Sequence, residues 1–140
     1  MANTTSKTTT QVPKMEEGQL VHTEFITSNG KELANFLAKN FNWKIDTQKM
    51  PGGGGDYHLF TTPGGSVGGI GEPMPGSNQG TFSYIAVKDL KATTKKLEKA
   101  GATILMPPTE VPNMGWFCQW KYKNSPVICC WQATGGNGSN

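Results

Sequence analysis

The feature that most constrains the fold of this 140-residue chain is an internal duplication. Residues 22–45 and residues 83–104 follow the same pattern: an alternating, β-prone stretch, a polar turn, a helix with a narrow apolar stripe, and a second β-prone stretch. From Asn29 and Asp89 onward the copies match at a constant shift of sixty positions, in the pairs Lys31 with Lys91, Leu37 with Leu97, and Lys39 with Lys99. A duplicated strand–helix–strand unit in so short a chain leaves few possible architectures.

Eight strands and two helices follow from the residue patterns. Alternation and β-branched or aromatic content predict strands at 19–27, 43–48, 56–62, 66–71, 81–87, 103–106, 115–122 and 126–132. Apolar stripes predict helices at 30–41 and 89–100, with Asn29 and Asp89 as N-caps and Gly101 as a left-handed C-cap. Each unit therefore reads β-α-β-β-β, and the predicted fold class is α+β, built from two tandem modules.

One folded domain is expected between two polar tails. Residues 1–17 are rich in Thr, Ser, Lys and Gln without an apolar period, and residues 133–140 are rich in Gly and Asn, so both are expected to be disordered. The domain would span 18–132, with a first module at 18–73 and a second at 81–132. That length is enough to bury a core without disulfides or a structural metal.

The formal net charge of +3 is spread along the chain and indicates solubility rather than a particular partner. The second helix carries a run of lysines, at positions 88, 91, 95, 96 and 99. A lysine run on the polar side of an amphipathic helix is typical of a solvated face, so no nucleic-acid partner is predicted.

Cysteine usage and hydropathy indicate the compartment. Three cysteines, an odd number, argue against a disulfide framework. The N-terminus lacks the apolar stretch of a signal peptide, and no window approaches the length of a membrane span. We therefore expect a reduced, cytoplasmic protein with no membrane partner.

Six segments, taken together in their order and spacing, resemble the vicinal oxygen chelate superfamily, which includes glyoxalase I, bleomycin-resistance proteins and extradiol dioxygenases. These segments are 24–29, 41–43, 57–60, 67–70, 84–87 and 106–112. The similarity is greatest to the branch of small proteins related to lactoylglutathione lyase, and it covers residues 18–132.

The resemblance implies a curved eight-stranded sheet that encloses a cavity, with the two helices outside and a small-molecule ligand inside. It also implies a homodimer. In the metalloenzymes of this superfamily, the first and last strands of each module contribute one metal ligand each, commonly His or Gln, Glu, His and Glu.

Transferred position by position, that ligand set is mostly missing here. His22 lies at the first ligand position. The second should fall within 67–71, which holds no carboxylate, and Glu72 follows just after it. The third falls on Ser83 and the fourth on Cys129, where His and Glu are expected. The resemblance therefore implies a cavity protein without the standard metal tetrad.

His22 and Glu24 are the predicted catalytic pair. The two-residue period of a strand places both on one face, with Val21 and Phe25 on the opposite face, under the first helix. Either polar residue would then serve as a general base in the cavity. The alternative is a hydrogen-bonded pair with a purely structural role, although two polar groups facing a closed core would be costly.

Four further residues are predicted to contact the ligand: Ser83, Trp116, Cys129 and Trp131. Cys129 shares a strand face with Trp131, while Cys130 points to the core. Aromatic walls give a cavity a large contact area for flat or amphipathic ligands. The alternative for these residues is ordinary packing in the core or at a dimer interface.

Two functions remain open on this sequence. The first is a glyoxalase- or bleomycin-resistance-like protein that binds a small molecule without converting it. The second is a metal-dependent lyase, isomerase or dioxygenase related to glyoxalase, using His22 with Cys129 and with Glu24 or Glu72. In that case a divalent metal would be the cofactor, held by His22, Cys129 and Glu72.

Overall fold

The computed structural model describes residues 15–50, 55–77 and 79–134 of the chain. Within these ranges the elements, in chain order, are β1 (Leu20–Ile26), α1 (Gly30–Phe41), β2 (Lys44–Lys49), β3 (Asp56–Thr61), β4 (Val67–Gly71), β5 (Gly80–Ala86), α2 (Leu90–Lys99), β6 (Thr103–Val111), β7 (Gly115–Lys121) and β8 (Ile128–Ala133). The strands form one eight-stranded sheet in the order β2-β3-β4-β1-β5-β8-β7-β6. The α+β architecture of two β-α-β-β-β modules is confirmed.

Most of the two expected tails lies outside the described residues, which exclude 1–14 and 135–140. Glu17, within the expected N-terminal tail, is described. Its carboxylate accepts a hydrogen bond from the backbone N–H of Lys88 at 2.7 Å. This contact ties the chain just before β1 to the loop that precedes α2.

The two helices begin and end largely as their local sequences predict. At the start of α2 the Asp89 side chain accepts a hydrogen bond from the N–H of Ala92 at 3.0 Å, which stabilises the first turn. Asn29 precedes α1, but its side chain makes no capping hydrogen bond to a described residue. Gly101 follows α2 with a φ of +105°, so the left-handed C-cap is confirmed. Neither of these helices, at 12 and 10 residues, is long and apolar enough to cross a membrane.

The shift of sixty positions extends beyond the helices to the register of the strands. Glu24 of β1 lies opposite Gly69 of β4, and the residues sixty positions later, Tyr84 and Cys129, lie opposite each other in β5 and β8. The same shift relates the hairpins β2–β3 and β6–β7, where Asp46 lies opposite Leu59 and Met106 lies opposite Gln119. A residue of the first module therefore has an identifiable counterpart in the second.

The modules join where β1 and β5 pair in the antiparallel direction. Thr23 lies opposite Ser83, and Ser83 is also the residue sixty positions after Thr23. A pseudo-twofold axis that relates the modules therefore passes through this pair.

Both helices pack against the same face of the sheet, called the helix face below. Ala34 of helix α1 packs on Phe60 and Ile70 of the sheet to form one buried cluster, with Phe25 packed beside it. Helix α2 covers a second cluster, which comprises Val87, Leu90, Cys118 and Cys130. The alternate residues of the same strands point to the opposite face, called the open face below, which the helices do not cover.

The strand expected at 103–106 is longer than predicted. Strand β6 runs over Thr103–Val111 and includes Pro107 and Pro108, where its register against β7 is irregular. Proline lacks the N–H group that a central strand needs. Because β6 lies at the edge of the sheet, the prolines can sit in it without leaving a second neighbouring strand short of a hydrogen bond.

Candidate functional site

A partly buried carboxylate, that of Glu24, lies at the centre of the open face. Its Oε2 accepts a hydrogen bond from the Tyr57 hydroxyl at 2.7 Å, and its Oε1 accepts one from the Tyr84 hydroxyl at 2.6 Å. The Nε2 atom of His22 lies 2.9 Å from the same Tyr57 oxygen. We call these four residues the Glu24 cluster.

The hydrogen-bond pattern fixes the tautomer of His22. A tyrosine hydroxyl has a single hydrogen, and that of Tyr57 is donated to Glu24. The hydrogen bond between His22 and Tyr57 therefore requires the imidazole Nε2–H to donate to the tyrosine oxygen. A continuous chain of hydrogen bonds thus runs from His22 through Tyr57 and Glu24 to Tyr84.

The strand period and two glycines bring this cluster together. His22 and Glu24 alternate along β1, and Tyr84 belongs to the neighbouring β5. Tyr57 belongs to β3, two strands away, and its ring crosses β4 to reach Glu24. It can do so because β4 carries Gly69 and Gly71 there: a Cβ atom at either position would overlap the Tyr57 ring.

Burial sets the protonation of the groups around Glu24. It raises the pKa of Tyr57 and of Tyr84, and the charge of Glu24 raises both further, so both hydroxyls keep their hydrogens at neutral pH. Burial also lowers the pKa of His22, an effect larger than the opposing attraction of Glu24, and the imidazole is therefore neutral at pH 7. The carboxylate is thus surrounded by neutral hydrogen-bonding groups.

Of the four residues predicted to contact a ligand, the structure places two on the open face. Cys129, fully buried, lies opposite Tyr84, and burial followed by the charge of Glu24 raises the pKa of its thiol to about 12. Trp131 lies opposite Phe117 of β7, and its ring covers Gly115. A thiol with so high a pKa is not a nucleophile at neutral pH.

The other two residues, Ser83 and Trp116, are on the helix face instead. Ser83 lies opposite Thr23, one residue away from Tyr84, and Trp116 packs against the cluster under α2. One step along a strand reverses the face to which a side chain points, so the expected position in β5 was wrong by one residue. Phe82 and Tyr84 are the aromatic residues of β5 that share the open face with Glu24.

The predicted set of metal ligands is not assembled. Among the described residues, no group of three or more His, Cys, Asp and Glu side chains could hold a metal ion. His22 and Cys129 share the open face, but Glu72 lies exposed beyond the end of β4. The position in β4 opposite Glu24 is Gly69, and Tyr57 fills the space above it. The residues present do not fit the metal centre that the resemblance implied.

A groove of about 310 Å³ opens on the open face beside the cluster. His22 forms part of its wall. Residues of β2, β3 and β4 form the rest, among them Lys44, Asp46, Leu59, Thr61 and Val67, whose side chains point to the open face. The groove gives a ligand access to the imidazole from the first-module side of the sheet.

Tyr57 and Tyr84 are functional candidates that the sequence patterns did not single out. The signal that could have found Tyr57 is the glycine content of β4, since glycine inside a strand marks the close approach of another group. The signal for Tyr84 is the shift of sixty positions, because it is the counterpart of Glu24.

Acid should weaken the fold through His22. The folded pKa of His22 lies below its ordinary value of 6.5, so at mildly acidic pH the unfolded chain binds a proton that the folded chain does not. The free energy of unfolding should therefore fall as the pH drops below 6.5. His22→Gln should show a weaker dependence, measured as the urea midpoint between about pH 7.5 and about pH 5.5. The same pH dependence in both proteins would contradict this assignment.

Comparison with known proteins places this geometry in a family. A family model for the Glyoxalase/Bleomycin resistance protein/Dioxygenase superfamily matches residues 19–119. The chain is 29% identical over 111 residues to the "Putative glyoxylase CFP32" of Mycobacterium tuberculosis (strain CDC 1551 / Oshkosh), covering 76% of this chain and 42% of that protein. It is 25% identical over 114 residues to the "Anthracycline biosynthesis protein DauV" of Streptomyces sp. (strain C5), covering 71% and 41%. It therefore spans about two-fifths of the length of these curated relatives.

Solved structures show the same fold. Hypothetical protein BH1468 from Bacillus halodurans C-125 superposes with a TM-score of 0.69 at 13% identity, over 85% of this chain and 96% of that one. Methylmalonyl-CoA epimerase from Mycobacterium tuberculosis superposes with a TM-score of 0.65 at 11% identity, over 89% and 94%. At such low identity these similarities establish the fold alone. Together with the family model, which covers most of the chain, they show that the chain belongs to the Glyoxalase/Bleomycin resistance protein/Dioxygenase superfamily.

Proposed function

We propose that this chain binds a small organic molecule on the open face of its sheet, with the Glu24 cluster as the polar anchor and without a four-ligand metal centre. The observation that carries the proposal is the Glu24 carboxylate, which accepts one hydroxyl hydrogen bond on each oxygen in a partly buried position. A carboxylate has roughly four acceptor sites, so hydrogen-bonding capacity remains for a ligand.

The energetic cost of this arrangement supports a binding role. Removing a carboxylate from water costs several kcal/mol unless hydrogen bonds compensate. The chain also has glycine at positions 69 and 71, inside the sheet, where any side chain would overlap the Tyr57 ring. Stability alone would be served as well by apolar residues of similar volume, so the polar cluster is better explained by contact with a ligand.

The family relationship supports the same class of ligand. The two curated relatives are named as a glyoxylase and as an anthracycline biosynthesis protein, and both names refer to the chemistry of small organic molecules. The chain corresponds to about two-fifths of either relative, so their full activities are not transferred to it.

The proposal is tested by screening small organic molecules for binding and then comparing two matched variants. We expect ligands that shift the NMR signals of the Tyr57 and Tyr84 rings to bind Glu24→Gln at least about tenfold more weakly, because one charged hydrogen-bond acceptor is lost. Glu98→Gln, the same change at an exposed position of α2, should leave the affinity unchanged. Hits that bind Glu24→Gln as well as the wild type, or the absence of any hit on the open face, would contradict the proposal.

Metal content separates this proposal from the alternative of a metal-dependent lyase, isomerase or dioxygenase. Because the described residues assemble no group of three ligands, we expect less than about 0.1 equivalent of zinc, nickel, manganese or iron per chain after loading and gel filtration. His22→Ala should give the same value. About one equivalent per chain, lost in His22→Ala, would establish the alternative.

The proposal includes a cytoplasmic homodimer. The three cysteines are buried and free, which fits a reducing compartment. Large exposed apolar side chains, among them Leu20, Phe36 and Phe41, offer surface for association. Sedimentation equilibrium would refute the dimer by returning the mass of a single chain at micromolar concentration.

A further inference from the structure

The shift of sixty positions allows the two halves of the open face to be compared residue by residue. The first module contributes the polar residues His22, Glu24 and Tyr57. Their counterparts in the second module are Phe82, Tyr84 and Phe117, all aromatic. The site is therefore polarised, with hydrogen-bonding groups on one side of the pseudo-twofold axis and mainly aromatic rings on the other.

Among the described residues, no salt bridge neutralises the Glu24 carboxylate of the polar half. All thirteen basic residues of the chain are lysines. The salt bridge found among the described residues joins Lys49 to Asp56 and does not involve Glu24. The Glu24 carboxylate is held instead by two tyrosine hydroxyl groups, which satisfy hydrogen bonds but carry no positive charge.

The aromatic half extends away from this charge along the strand order β1-β5-β8-β7. Phe82 of β5 lies directly opposite Glu24. On the next two strands, Trp131 of β8 lies opposite Phe117 of β7. Strands are about 4.8 Å apart and residues rise about 3.3 Å along a strand. Trp131 is two strands from Glu24 and four residues further along than Phe82, so the backbone positions of Glu24 and Trp131 are roughly 16 Å apart, and those of Glu24 and Phe117 roughly 20 Å. Phe82 is therefore the ring within reach of a small ligand held at Glu24, and Trp131 and Phe117 lie beyond it.

Resting on the proposed binding site, we propose that its ligand is a flat organic cation. It carries a protonated amine that contacts Glu24, attached to an apolar ring system that lies over Phe82. The ammonium group supplies the positive charge that no salt bridge among the described residues provides at Glu24, and it hydrogen-bonds to the remaining acceptor sites of the carboxylate. Aromatic ring faces also attract a cation, which favours the same orientation.

A series of naphthalene derivatives that differ in charge tests the inference. The probes are 2-naphthylmethylamine as the cation, 2-naphthylmethanol as the neutral form and 2-naphthylacetate as the anion. Isothermal titration should show the amine binding at least about tenfold more tightly than the alcohol, and the acetate binding more weakly still. Raising the salt concentration should weaken binding of the amine more than that of the alcohol.

Variants assign the preference to particular residues. Glu24→Gln should reduce the ratio of amine to alcohol affinity to about one while changing the alcohol's own affinity less than about threefold. Phe82→Leu should weaken both probes about equally, because it removes ring contact and not charge. Glu98→Gln, an exposed carboxylate on α2, should change neither.

The outcomes distinguish this inference from the proposed function on which it rests. If the alcohol or the acetate binds at the Tyr57 and Tyr84 rings as tightly as the amine, the open face is a binding site but its ligand is not a cation. If the preference for the amine survives in Glu24→Gln, Glu24 is not its source. If neither these probes nor any screened molecule binds on the open face, both proposals fail. Should Glu24→Gln not fold, the salt dependence of the wild type decides the matter.

Discussion

Gly69→Ala should lower the free energy of unfolding by about 3 kcal/mol and abolish binding on the open face. A methyl group at residue 69 would overlap the Tyr57 hydroxyl and ring where they cross β4. Tyr57 would have to leave its position, which breaks its hydrogen bond to Glu24 and the one it accepts from His22. Leaving a partly buried carboxylate short of a donor costs about 1–3 kcal/mol, and forced repacking costs about as much again. Urea unfolding and ligand titration measure the two effects.

Two controls isolate the role of Tyr57. Gly30→Ala places its methyl group 3.5 Å from Ile70 and 3.6 Å from His58, at ordinary contact distances, so its stability should stay within about 1 kcal/mol of the wild type. In a Tyr57→Ala background the overlap is absent, and Gly69→Ala should then cost less than about 1 kcal/mol. An equal cost with and without the tyrosine would show that the overlap is not the cause.

Ile70→Ala should destabilise the chain by about 3–4 kcal/mol without removing any group of the Glu24 cluster. Ile70 is fully buried in β4, with its side chain in the cluster under α1 beside Ala34 and Phe60. Truncation loses the transfer free energy of three carbon atoms and leaves a cavity, because the neighbouring helix and strands relax only in part. Chemical unfolding at neutral pH measures the loss directly.

The matched control for this change is Val67→Ala in the same strand. Val67 points to the open face and its side chain is 48% exposed, so its truncation should cost less than about 0.5 kcal/mol. Similar losses for the two variants would mean that the cluster under α1 is not a close-packed core.

Much of the fold could be predicted because its signals are local. The helix predicted at 30–41 is found at Gly30–Phe41, since its apolar stripe and its flanking polar residues lie within a dozen positions of one another. Asp89 and Gly101 mark the ends of α2 through their own backbone and side-chain chemistry. The length of β6 could not be foreseen, because prolines are tolerated in a strand only if it lies at a sheet edge.

The site was predicted only in part because its contacts are distant in sequence. The strand period alone places His22 and Glu24 on one face. The hydrogen-bond partners of Glu24 are Tyr57 and Tyr84, which are 33 and 60 residues away. Local sequence patterns do not show which residues so far apart will be in contact. Ser83 was expected in the position that Tyr84 fills. Because side chains alternate along a strand, this shift of one residue places Ser83 on the opposite face of the sheet.

The Thr23–Ser83 pair also has a consequence for how such a chain could have arisen. Equivalent residues of the two modules face each other across this pair, with the strands antiparallel. In a chain of half the length, β1 of one copy would meet β1 of another in the same register, with Thr23 opposite Thr23. Two such half-chains would build the same continuous sheet, and fusing their genes end to end would preserve every strand neighbour. The fusion also frees the halves to diverge, so that one open face can become polar while the other becomes aromatic.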